Sequence, residues 1–107
     1  MKKIIWTKHS KNKMSFYNLS ESRIRRVLKN PYRIEEGIAE NTIAVMQPAS
    51  IKKKKNKKFW RQEIWVMFQL KNNNLKIISA WRYPGKSPQN NPIPKEILDE
   101  LREEGII

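Results

Sequence analysis

Cysteine is absent, so neither a disulfide framework nor a thiolate metal site is available. Histidine occurs once, at His9, with no cluster of Asp or Glu around it; metal ligation is not expected and no cofactor is implied. No stretch is apolar for long enough to cross a bilayer. The opening Met1-Lys2-Lys3-Ile4-Ile5-Trp6 has charges but no sustained apolar run behind them, unlike a signal peptide. A cytoplasmic location is compatible with these absences. Acids are also scarce. There are 10 Asp and Glu against 23 Lys and Arg, for a net charge of +13.

That surplus is uneven. Residues 95–107 hold Glu96, Asp99, Glu100, Glu103 and Glu104 against two bases, a net of −3, so the preceding 94 residues carry +16. Solubility asks only for a net charge of about 2–8. A body this basic attracts polyanions, and nucleic acid, RNA above all, is the expected partner. Membrane binding is not expected, because no basic amphipathic segment with a bulky apolar face is long enough.

The 107 residues suit one domain, and ten aromatics, four of them Trp, supply much of its apolar area. Lys3–Thr7 reads as a short strand. Thr7 then caps a helix over about Lys8–Tyr17. Ser20 caps a second helix, with Leu19 and Ile24 at the positions of a hydrophobic staple, and Asn30-Pro31 ends it. Ile24, Val27 and Leu28 form its apolar stripe, and Arg23, Arg25, Arg26 and Lys29 its outer face. Arg33–Ala39 and Thr42–Gln47 read as strands around a turn at Glu40-Asn41. The next segment, Lys52 to Lys58, has six lysines in seven residues, and like charges that dense predict a mobile loop. Phe59–Leu70 and Leu75–Tyr83 are the best-marked strands. Pro84–Pro94 reads as a linker, and Pro94 opens a last helix that Gly105 stops. The order β-α-α-β-β-β-β-α predicts an α+β fold: an antiparallel sheet with helices on one face.

If Asn72-Asn73 is a two-residue turn, Leu70 faces Leu75, Phe68 faces Ile77, Val66 faces Ser79 and Ile64 faces Trp81. Those residues make the face that receives the helices. The opposite face carries Arg61, Glu63, Trp65 and Met67 beside Ile78, Ala80 and Arg82, with Glu63 opposite Arg82. An indole among cations suits single-stranded RNA, the ring stacking on a base while the cations take phosphates. The alternative is an ordinary ion pair and a Trp65 covered by a loop or the last helix. His9 has the chemistry of a general acid or base, or it is a helix-start histidine bonded to backbone or solvent. Tyr83 either donates a proton, stacks on a base or closes the core.

Two stretches carry a resemblance. Trp6 to Met14, followed by Leu19-Ser20-Glu21 and Val27 to Pro31, resembles a small bacterial family, the domain of unknown function 4258. Ile77-Ile78-Ser79-Ala80-Trp81-Arg82 resembles the last strand of BrnT-type toxins. Both resemble the RelE/ParE-like toxin fold. The resemblance covers about residues 3–83 and implies a RelE/BrnT-like domain, taken as 1–83; outside it, the residues themselves give the Pro-rich linker 84–93 and the acidic helix 94–107, expected to pack on the same domain. It also implies a metal-independent endoribonuclease acting through the RNA's own 2′-OH, and an acidic antitoxin protein as a partner. His9, Arg61, Glu63, Arg82 and Tyr83 would be its catalytic groups. Apart from the resemblance, the basic charge and the indole on the sheet face give Arg25, Arg26, Lys52, Lys53, Lys54, Lys55, Lys57, Lys58 and Trp65 as the groups expected to bind nucleic acid. The rival expectations are a non-catalytic nucleic-acid-binding accessory protein and a basic module that binds an acidic protein.

Overall fold

The structure, a computed structural model, describes residues 3–89 and 93–107; Met1, Lys2 and the linker positions 90–92 lie outside the described residues. The elements are β1 (Ile4–Trp6), α1 (Lys8–Phe16), α2 (Glu21–Lys29), β2 (Arg33–Glu36), β3 (Thr42–Pro48), β4 (Lys52–Lys54), β5 (Lys57–Phe59), β6 (Gln62–Lys71), β7 (Asn74–Pro84) and α3 (Lys95–Glu103). The fold is α+β.

Local signals set the helix starts. The Thr7 hydroxyl accepts from the Ser10 amide at 3.1 Å and the Ser20 hydroxyl from the Arg23 amide at 3.1 Å. Leu19 and Ile24 are both buried, as a staple requires. At the end of α3, Gly105 adopts φ 73°, the left-handed conformation that closes a helix. Gly37 is fixed by space, since a Cβ there would collide with Thr42, whose carbonyl accepts the Gly37 amide at 2.9 Å.

The five-stranded sheet runs β1-β7-β6-β3-β2. Its pairings are antiparallel except at the edge, where β1 lies parallel to β7 with Trp6 beside Ile77; the sheet is therefore mixed, not wholly antiparallel. A strand followed at once by α1 forms no hairpin with the next strand, and the long path from β1 to β7 allows their parallel pairing.

Asn72 and Asn73 form the β6–β7 turn with φ of 52° and 64°, as a type I′ turn requires. The predicted register holds from that turn to Phe68↔Ile77, and then a bulge shifts it: Met67 faces Ser79, Trp65 faces Trp81, and Glu63 faces Tyr83. The extra residue is Ile78. It exchanges the faces of β7 beyond it, so Ala80 joins Val66 and Ile64 on one side while Trp81 joins Trp65 and Met67 on the other.

Both sides are covered. Met14 and Tyr17 of the α1 segment and Ile24 and Val27 of α2 pack on Val45, Ile64, Val66 and Ile77. Ile97 and Leu101 of α3, with Ile93, cover Met46, Trp65, Met67 and Trp81 on the opposite face. Residues 63–67 of β6 are consequently buried throughout, and the expected open face does not exist. The segment after β7 is docked as well. The Gly85 amide bonds the Arg61 carbonyl, and Arg33 reaches the Ser87 carbonyl at 3.0 Å, so positions 84–89 are pinned to the sheet and do not act as a free tether.

Candidate nucleic-acid interface

The lysine segment is a β-hairpin, not an unstructured loop. Lys55 and Asn56 turn it with φ of 50° and 64°, and β4 pairs with β5 as Lys52↔Phe59, Lys53↔Lys58 and Lys54↔Lys57. Backbone pairing and a left-handed turn outweigh the charge density at this spacing. The cost remains visible: two pairs of ammonium groups stand directly opposite one another, an arrangement that disfavours the hairpin. Every residue from Lys52 to Phe59 is exposed.

At the foot of the hairpin is a small, mostly apolar pocket of about 280 Å³, lined by Ala49, Lys52, Phe59, Trp60 and Arg61 among others. Phe59 is 39% exposed. Trp60 is braced from several sides. Its ring meets Tyr32 edge to face at 5.1 Å, the Lys86 ammonium lies 4.6 Å from its centre, and its N–H donates to Glu63 at 3.0 Å. Aromatic surface, a guanidinium and a lysine arm therefore share one site. Neither Phe59 nor Trp60 was expected to belong to it, although two adjacent aromatics directly after a lysine run were a legible signal.

Arg61 and the six lysines lie together; the other candidates do not. Trp65 is fully buried, stacked at 6.1 Å on Trp81 and capped by α3, so it offers no ring to a base. Glu63 is fully buried too and does not pair with Arg82. Its carboxylate accepts from the indoles of Trp60 and Trp65, from the Ser87 hydroxyl at 2.6 Å and from the Ser87 amide at 3.2 Å. It fastens the docked segment to the sheet. Arg82 donates to the carbonyls of Tyr17 (2.7 Å) and Asn18 (3.3 Å) and to Gln62 (3.3 Å), holding the turn after α1. Tyr83 is half-buried against the α3 side of the core.

His9 is buried in the seam between α1 and α3. Its Nε2 is 2.9 Å from the Ser79 hydroxyl, and its Nδ1 contacts Glu104, an ion pair when the ring is protonated. One turn on, Lys13 binds Glu100 at 2.8 Å. Glu100 of α3 and Glu104 at its C-cap thus clasp α1. Arg25 is exposed with its guanidinium 5.8 Å from the Trp6 ring, and Arg26 is exposed on the same helix. Among the described residues, His9, Arg82 and Arg61 line three different pockets, Glu63 is buried in the core and Tyr83 is half-buried against it.

Among the described residues no cluster of His, Cys, Asp or Glu could hold a metal, and no helix is long and apolar enough to cross a membrane. Comparison with family models, with curated proteins and with solved structures finds no match.

Proposed function

We propose that the protein binds single-stranded nucleic acid, RNA in the first instance, along the β4–β5 hairpin and in the pocket at its foot. The observation that carries this reading is the joining of six exposed lysines to a braced, partly exposed aromatic pocket. Ammonium groups take phosphates at any sequence, and an aromatic face takes any base. The opposed lysine pairs point the same way, since phosphates beside the facing ammonium groups would relieve their repulsion. An acidic protein would satisfy the charge but has no evident use for the aromatic surface.

Two helices followed by consecutive hairpins support a RelE/BrnT-like kinship as part of the proposal. Cleavage is not part of it, because the five groups that would serve are not gathered. The test is fluorescence anisotropy with a labelled single-stranded RNA, a duplex of the same length and an acidic polypeptide, each at low and physiological salt. The expected result is a preference for the single strand, an affinity that falls steeply with salt, and intact RNA afterwards. Indifference to salt, or equal binding of the acidic polypeptide, would overturn the proposal.

A further inference from the structure

A second cationic feature adjoins the pocket at the hairpin's foot, and Ala49 lines both. A cleft of about 510 Å³ opens between α1 and α2, lined by Ser15, Asn18, Ser20, Arg23, Ala49 and Arg82 among others. Both guanidiniums are half-buried and held by neutral acceptors. Arg23 donates to the Gln47 side chain at 2.6 Å and to the Pro48 carbonyl at 3.3 Å, while Arg82 is anchored on Tyr17, Asn18 and Gln62. Among the described residues no carboxylate forms an ion pair with Arg23, Arg26 or Arg82. A guanidinium has five N–H donors, so both lining arginines keep donors to spare.

Like charges gathered without a counter-ion are unfavourable. Burial first, and then the neighbouring Arg26 and Arg82, holds the Arg23 guanidinium below its ordinary value. An anion in the cleft would relieve this strain, and the fork of a guanidinium matches the oxygens of a phosphate. The anchoring bonds matter as much as the charge, because they fix both groups before any ligand arrives.

We propose that this cleft is an oxyanion site that takes a phosphate group between Arg23 and Arg82. It does not depend on the hairpin reading, since the same chemistry serves a free phosphate or a phosphate of a nucleic acid.

The test is NMR of the arginine Nε–H groups of the full chain at constant ionic strength. The probes are inorganic phosphate and a short single-stranded oligonucleotide with or without a 5′-phosphate. The expected result is a saturable response of Arg23 and Arg82 to inorganic phosphate, weakened at least tenfold in Arg23→Gln. A chain with Lys52, Lys53, Lys54 and Lys55 changed to Gln should keep that response while losing nucleic-acid affinity, which separates this site from the hairpin. Displacement of inorganic phosphate by the phosphorylated oligonucleotide alone assigns the site to a strand end; displacement by both assigns it to the strand's backbone; displacement by neither assigns it to free phosphate. Absence of a saturable response, its survival in Arg23→Gln, or its loss in the lysine variant overturns the proposal. Should Arg23→Gln fail to fold, Arg23→Lys decides: a retained charge without the fork should still weaken the response, and unchanged binding overturns the site.

Discussion

Trp65 lies wholly inside the protein and Phe59 is 39% exposed at the hairpin's foot, so the same truncation has different consequences at the two positions. Trp65→Ala empties space between Met67, Trp81 and Ile97 and leaves Glu63 without one of its donors. It should cost about 3–5 kcal/mol of folding stability, read by denaturant unfolding, with RNA affinity per folded molecule unchanged. Phe59→Ala should leave the unfolding midpoint nearly still and weaken single-stranded RNA binding by about 1–3 kcal/mol, the range for a missing base stack. A Phe59 variant that binds normally would remove the pocket from the interface. Tyr17 tests the seam between the helices by pH. Burial, and then Glu96 and Glu100, pushes its phenol above the ordinary value of 10.0. The neutral form is therefore favoured in the folded state. That contribution is full below the unfolded value and is lost as pH rises through the raised folded one. Tyr17→Phe should lose less stability than the parent on the alkaline side of that value, and parallel pH curves would argue against the assignment.

The β4–β5 hairpin gives substitutions an opposite sign for stability and for binding. Lys53 faces Lys58 and Lys54 faces Lys57, so replacing Lys53 and Lys54 with Thr removes two like-charge pairs and adds residues suited to strands. Protection of the hairpin amides from hydrogen exchange should rise while RNA affinity falls. The slope of log affinity against log salt should shrink by about 0.7 for each phosphate that is no longer neutralised. Lower amide protection would mean that the pairs do not repel. The sequence marks elements like this one unequally. Ser20 with Leu19 and Ile24, and the Asn72-Asn73 turn, are local signals, and each lies where the local pattern places it. The lysine segment misleads because the charge count hides a turn, Lys55-Asn56, whose left-handed residues carry no glycine. The bulge at Ile78 is set by how two covered faces must be filled, and a shift of one residue there moves Trp81 to the α3 side and takes Arg82 away from Glu63. Trp65-Val66-Met67 is a continuous apolar run, and that run is the available sign of a strand covered on both faces.

At the scale of the molecule, charge and packing make competing demands on α3. Its segment carries −3 against a body of +16, which suggests an acidic helix competing with phosphate for the basic surface. The packing assigns its acids elsewhere. Glu100 holds Lys13 and Glu104 meets His9, both on α1, while Ile97 and Leu101 are fully buried over Trp65 and Trp81. A chain ending before Pro92 would expose that whole apolar face and leave His9 and Lys13 without their acids. It should lose cooperative unfolding and bind apolar dyes, with no gain in RNA affinity that can be ascribed to a folded molecule. The charge effect can be isolated without disturbing the packing by changing Glu96 and Glu103, which are exposed, to Gln. If α3 competes with phosphate, this variant should bind RNA more tightly at low salt, and the gain should fade as the screening length shortens to about 8 Å near physiological salt. The clasp leads us to expect no gain at either salt concentration, because Glu100 neutralises Lys13, Glu104 meets His9, and Asp99 pairs with Lys95 and Arg102 of its own helix, none of them with the hairpin. A clear low-salt gain would show instead that the field of the helix reaches the lysines, and the tail would then belong to the binding surface as well as to the core.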